Sequence, residues 1–227
     1  MELRAAPRPK EHDLMTRSIL SGMLGVLSVL FLGGLPVACQ SGGIGDPCIP
    51  EDEYKTDFAG FKVTEENIES RSFQCQTRIC LVNHFQGRVS CPYGQDGKKA
   101  DGTPCQTATS PETEKDNACC VPGTNTLVDK EVCGQCAATS NRDAAQAVYC
   151  SCRCGVADGE PPDPNFNFCE CPDGYTCEQI RPNVGLGDTQ LTGKYCIKES
   201  TKYINGVSDS ACGDVKGNAN PTQCSGN

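Results

Sequence analysis

Tryptophan is absent from the 227 residues, and six tyrosines and seven phenylalanines supply all the phenol and benzyl surface. Beyond residue 38 no aliphatic run is long enough to build an ordinary core, so burial alone does not hold this chain together. Histidine is scarce. After the leader (residues 1–38) His84 is the one copy, and a serine or cysteine nucleophile needing a histidine base would have to use it. It falls in the strand-like stretch Ile79–Phe85, which favours an ordinary packing residue. No Gly-x-Ser-x-Gly elbow and no phosphate-cradling glycine loop occurs. The sequence therefore assigns no catalytic residue, no cofactor and no metal, and the expectation is a protein that is not an enzyme. Paired carboxylates remain the one open catalytic class, because acids that meet in space need not be neighbours in sequence.

Basic residues are also in deficit. The whole chain has 20 Lys and Arg against 29 Asp and Glu. The leader takes four bases (Arg4, Arg8, Lys10, Arg17) and three acids (Glu2, Glu11, Asp13), which leaves sixteen against twenty-six and a net charge of about −10. Nucleic acid is excluded as a partner, since its phosphates would be repelled. A grip on anionic lipid head groups is excluded for the same reason.

What the chain has is cysteine. Nineteen are present, and all but Cys39 lie beyond residue 47. Removing residues 1–38 and setting Cys39 aside leaves eighteen in 189 residues, close to a tenth, which is the density of a disulfide scaffold. Each bridge removes conformations from the unfolded ensemble and contributes about 2–4 kcal/mol. Such a set implies an oxidising compartment outside the cytoplasm. The expected disulfide cysteines are Cys48, Cys75, Cys80, Cys91, Cys105, Cys119, Cys120, Cys133, Cys136, Cys150, Cys152, Cys154, Cys169, Cys171, Cys177, Cys196, Cys212 and Cys224. Cys133-Gly-Gln-Cys136 has the gap of a zinc knuckle or thiol-redox site, and Cys150-x-Cys-x-Cys154 that of a thiolate metal binder. A second knuckle pair and a βαβ setting are both missing, so bridges are the stronger reading. Asp96-Gly97 and Asp101-Gly102 lack the regular ligand spacing of a calcium loop.

The leader explains the odd cysteine. Ile19–Ala38 is uncharged and follows Arg17, the charge placement of an export signal. Initiation at Met15 would put Met-Thr-Arg-Ser directly before that run, a tidier start than the mixed charges of residues 1–14. Its end, Leu35-Pro-Val-Ala38-Cys39-Gln40, resembles the lipobox of bacterial lipoproteins. The resemblance implies that residues 1–38 are a cleaved signal peptide and that Cys39 is acylated and holds the protein to a membrane. Parity agrees, because nineteen cysteines less a lipidated Cys39 form an even set that can pair completely. An uncleaved anchor with one free thiol, or soluble secretion, is the alternative.

Six segments follow from composition. After the signal, residues 39–47 form a glycine-rich tether, the eight residues Gln40–Pro47 reaching at most about 29 Å. Residues 48–93 make a first module with a short helix near Glu65–Ser70, a strand over Phe73–Phe85, a turn at Gln86-Gly87 and a returning strand at Arg88–Cys91; its four cysteines are enough to close it internally. Residues 94–158 are a loop-rich second module. In it Ser140–Asp143 resembles a capping box before Ala144–Ala147, and Val148–Cys154 alternates as a strand. Thiols on one face of a strand lie about 6.6 Å apart with parallel Cβ vectors, so Cys150, Cys152 and Cys154 must each bond another segment, which makes that strand the hub. Residues 159–199 are a third module, a proline-rich loop leading to strands at Tyr175–Ile180 and Gly193–Lys198. Residues 200–227 are a polar tail with a loop closed by Cys212 and Cys224.

Cys169-Glu-Cys171-Pro-Asp-Gly174-Tyr175 resembles the C-terminal half of an EGF-like module. Gly45-Asp-Pro-Cys48, Gln74–Cys80, Tyr149–Cys154 and Cys171–Cys177 together give the chain the look of cysteine-rich envelope lipoproteins of the myxobacterial type. That likeness implies a bacterial envelope location, with Gln40 after the lipid cysteine favouring the outer membrane, and carries no catalytic residues. The fold class expected is small and disulfide-rich, mostly β-hairpins and coil with little helix. The function expected is binding, adhesion or structural presence at the cell envelope, with another surface protein or an envelope polysaccharide as partner and Phe166 and Phe168 as a contact patch. A protease inhibitor or decoy is the alternative, and a carboxylate-pair hydrolase a third.

Overall fold

A computed structural model describes residues 42–95, 104–106, 118–136, 141–162, 164–181, 191–205 and 212. Residues 1–38, expected to be a signal peptide, Cys39 and Cys224 lie outside these. Among the described residues, no helix is long and apolar enough to cross a membrane.

Two antiparallel three-stranded sheets carry the fold. The first orders β1 (Glu66–Glu69), β2 (Ile79–Asn83) and β3 (Val148–Ser151); the second orders β4 (Arg153–Gly155), β6 (Gly193–Lys198) and β5 (Tyr175–Arg181). A four-residue α-helix, α1 (Ala144–Ala147), precedes β3 and is capped by the Asp143 side chain accepting from Gln146 N at 3.0 Å. The protein is thus disulfide-rich and mostly β and coil, with little helix.

β2 is central and reads Ile-Cys-Leu-Val-Asn without polar alternation, because both of its faces are covered. Val82, Cys80 and Phe85 pack with Phe61, Val148 and the sulfurs of Cys48, Cys75 and Cys150. Leu81 packs on the other face with Ile68, Tyr149, Tyr195 and Ile197. Sulfur takes the place of methyl groups in the first cluster. Burial of this kind contributes about 1.5–3 kcal/mol per large side chain, and the bridges supply what the small clusters cannot.

Several sequence expectations change in three dimensions. Glu65–Ser70 is no helix. A six-residue helix cannot stabilise itself, and β1 satisfies its backbone by pairing Ile68 with Leu81 and Glu69 with Cys80. The strand expected over Phe73–Phe85 shortens to Ile79–Asn83, since Cys75–Arg78 is a turn with Arg78 at φ 64° and His84 leaves the ladder at φ 52°. Arg88–Cys91 is a tight turn closed by Cys91 N donating to Arg88 O, not a returning strand. Val148–Cys154 breaks at Cys152, sending β3 and β4 into different sheets.

The break at Cys152 is where the sheets are joined. Ser151 Oγ donates to Cys196 O at 2.8 Å, Cys196 N to Cys152 O at 3.1 Å, and Lys198 N to the Tyr149 hydroxyl at 2.9 Å. Each sheet therefore mixes segments from modules that composition had separated. Bridges do the same: Cys48–Cys80 stays within the first module, but Cys75–Cys150 and Cys91–Cys119 leave it. The first module is not closed internally, because its strands lean on β3.

The tether is also shorter than its glycines suggest. Gly42 N donates to Gln74 O and Gln76 N to Gly42 O, while Gly45 N pairs with Cys150 O and Cys150 N with Asp46 O. Gly45 sits at φ 94° with its α-carbon against the Tyr175 hydroxyl, where a Cβ would collide. Residues 42–47 thus belong to the fold. In the tail, Cys212 bonds Cys136 across 76 residues, so it closes no loop with Cys224.

Candidate functional site

Phe166 and Phe168 end the proline-rich loop, which Cys169 pins through its bond to Cys152. Their rings lie 4.8 Å apart, Phe166 at 41 % exposure and Phe168 half-buried. Between them and β4 lies Arg153. Its guanidinium carbon stands 5.0 Å from the Phe166 centroid and 5.5 Å from that of Phe168. Cation–π contacts of this kind contribute about 0.5–2 kcal/mol, and both rings lie on one side of the guanidinium.

An open cleft of about 890 Å³ adjoins this cluster. Arg71, Arg153, Glu160, Phe166, Asn167 and the Cys152–Cys169 bridge are among the residues that line it. Strand β4 places Arg153, and bare Gly193 opposite leaves room for it, since a Cβ there would lie 2.9 Å from Arg153 Nε. That nitrogen is buried with no hydrogen-bond partner. The ion pairs among the described residues are Lys55–Asp52, His84–Glu66, Lys194–Asp158 and Lys202–Glu178; neither arginine of the cleft takes part.

Sequence reasoning singled out the two phenylalanines and passed over Arg153. The available signal was an arginine held between two thiols of a hub strand, which makes its position rigid.

The expected cysteines sit in eight described bridges: Cys48–Cys80, Cys75–Cys150, Cys91–Cys119, Cys105–Cys120, Cys136–Cys212, Cys152–Cys169, Cys154–Cys177 and Cys171–Cys196. Cys133 is disulfide-bonded as well. Sulfurs gather in threes, Cys48 with Cys75 and Cys150, Cys152 with Cys169 and Cys196, and Cys154 with Cys171 and Cys177. All nine are bonded to another sulfur, so none has a thiolate to offer a metal.

His84 is buried and has both nitrogens turned to acceptors, Nδ1 2.9 Å from Val63 O and Nε2 2.9 Å from a Glu66 carboxylate oxygen. Its ring stacks on Tyr203 at 3.5 Å. This is a joint between β1 and the C-terminal segment rather than a base aimed at a nucleophile. Carboxylates do converge in a shallow depression of about 340 Å³ holding Glu51, Asp52 and Glu69. Burial pushes the Glu69 carboxyl up, against the hydrogen bond it accepts from Glu51 N. Asp52 is bound by Lys55 at 2.6 Å and by Asn67.

Comparison with protein-family models, with curated proteins and with solved structures finds no match to this chain.

Proposed function

We propose that this is a lipid-anchored, disulfide-stabilised protein of the bacterial cell envelope, placed in the outer membrane, that acts by binding and uses the cleft beside Phe166 and Phe168 as its ligand face. The observation that carries the binding role is Arg153, stacked under two aromatic rings at the edge of an open cleft and without a counter-ion among the described residues. Support for the compartment comes from the bridges, which persist only under oxidising conditions. Support for the anchor comes from the lipobox-like run and cysteine parity. Three peptide units separate Cys39 from Gly42, a reach of at most about 11 Å. An acylated Cys39 would hold the fold close against its membrane, where a rigid cleft meets envelope polysaccharide or a neighbouring surface protein.

The test has two arms. Cells expressing the chain are fed radiolabelled palmitate; label on the protein that disappears with Cys39→Ser is expected, and unlabelled protein refutes the anchor. Purified protein is then mixed with polysaccharide extracted from the host envelope. Retention that falls at least tenfold in the Phe166→Ala, Phe168→Ala double variant is expected, and unchanged retention refutes the cleft.

A further inference from the structure

We infer that the cleft is built for a carboxylated sugar, a uronic acid unit of an acidic polysaccharide, with Arg153 gripping the carboxylate and Phe166 lying against the ring. The inference rests on the cleft being the binding face, as proposed above.

The charge argument comes first. Among the described residues Arg153 makes no side-chain hydrogen bond and no ion pair, and the same holds for Arg71, which also lines the cleft. A protein with about ten surplus negative charges has many acids to spare, yet none is spent on either of these. Arg71, Arg153 and Glu160 are the charged residues of the lining, two positive against one negative, a balance that favours an anion.

The geometry narrows the anion to a carboxylate on a ring. Both phenylalanines stand to one side of the guanidinium, and its donors lie in its own plane by covalent geometry, where they match the two oxygens of a carboxylate. Phe166 is 41 % exposed beside that plane, an apolar surface suited to the C–H face of a pyranose. Ser70, Asn167 and Thr192 line the same cleft and supply partners for sugar hydroxyls.

An acidic peptide fits less well. Peptides join sheets by pairing with a free edge, and β4 is an edge strand. Its Arg153 carbonyl already accepts from Cys169 N at 3.2 Å, so an added strand would find that position taken.

The experiment is calorimetric titration of the disulfide-bonded chain from Gln40 onward with oligogalacturonate, the same oligomer after carboxyl reduction, an oligoglutamate peptide and inorganic phosphate. Oligogalacturonate is expected to bind, with affinity falling about tenfold or more on carboxyl reduction and by a similar factor in Arg153→Gln, as for loss of a charged hydrogen bond. Arg153→Lys should recover part of the loss, because charge returns without the fork. An unchanged bridge map shows that each variant has folded. Equal binding of the carboxyl-reduced oligomer overturns the uronate assignment, and leaves the cleft standing if Phe166→Ala still abolishes it. Binding of oligoglutamate or phosphate in preference overturns it in favour of a peptide or a phosphorylated ligand. Absence of any binding by folded protein overturns it too. Oligogalacturonate binding indifferent to both Arg153→Gln and Phe166→Ala removes the cleft itself.

Discussion

Cys80 and Cys150 stand opposite one another in the β2–β3 ladder, and neither bonds the other. Cys80 reaches back to Cys48 and Cys150 to Cys75. Cys177 and Cys196, opposite one another in the β5–β6 ladder, likewise bond Cys154 and Cys171. Directly opposed residues hold their Cβ atoms about 4.5–5.5 Å apart, wider than the roughly 3.8 Å a disulfide prefers. Sheet hydrogen bonds already join those strands. The sulfur links go instead to Cys48, Cys75 and Cys171 outside the named strands and, from Cys177, to β4, a strand with which β5 shares no ladder.

Loop length then ranks the bridges. Cys75–Cys150 spans 75 residues with both sulfurs buried, whereas Cys105–Cys120 spans 15 in loop structure. Chain-entropy reasoning gives about 4.5 kcal/mol for the first and about 3 kcal/mol for the second. Alanine at both ends of the longer bridge should lower the urea midpoint further than alanine at both ends of the shorter. Equal midpoints would show that burial and span play no part.

The sulfurs of Cys152 and Cys196 lie 3.5 Å apart although they belong to different bridges. A dithiol that opens Cys171–Cys196 leaves a thiolate on Cys196, positioned to attack Cys152 Sγ and expel Cys169 as thiolate. Substoichiometric dithiothreitol followed by acid quench should yield a Cys152–Cys196 peptide in mass mapping. Its absence, with each bridge opening on its own, would contradict the proximity.

Counting leaves one further link to find. Sixteen cysteines fill the eight described bridges and Cys133 is bonded, so Cys39 and Cys224 are the two that remain for it. Acylation of Cys39 therefore requires Cys133–Cys224. Non-reducing mapping of envelope-derived protein should find that pair together with a lipid-bearing N-terminal peptide; Cys39 bonded to Cys133 would remove the lipoprotein reading.

Glu53 is fully buried and accepts from Val89 N at 2.6 Å and Ser90 N at 2.8 Å. Burial pushes its carboxyl up from 4.5, opposed by the hydrogen bonds from Ser90 and Val89 and by the nearby charge of Arg88. The folded chain therefore binds a proton at this site over a pH range in which the unfolded chain has released it. Its contribution to stability is fully present below pH 4.5 and declines as pH rises through the raised value. Thermal unfolding from pH 4 to 7 should show this component disappear in Glu53→Gln. The variant should also lose about 1–3 kcal/mol at all pH values, because an amide turns a donor toward Val89 or Ser90 N–H. A wild-type slope retained in the variant would assign the pH dependence to other carboxylates, Glu69 first, since burial also raises it.

Sequence alone determined the class of molecule. A chain with scarce aromatic and aliphatic residues and nineteen cysteines has one way to become compact, and that inference needs only composition. The hairpin expected at Tyr175–Ile180 and Gly193–Lys198 forms over Tyr175–Arg181 and Gly193–Lys198, and the short helix expected at Ala144–Ala147 forms with Asp143 as its cap; both were legible because their pairing and capping are local. What only the tertiary structure decided are the long-range choices. Eighteen thiols admit a vast number of pairings, and spacing cannot say that Cys212 belongs to Cys136 or Cys75 to Cys150. Glu65–Ser70 could not show itself a strand until β2 was beside it. Arg153 drew no notice as a letter between two cysteines. Its place against Phe166 at the edge of a cleft exists only once a bridge has brought a distant loop across it, and no local pattern encodes a contact made at that range.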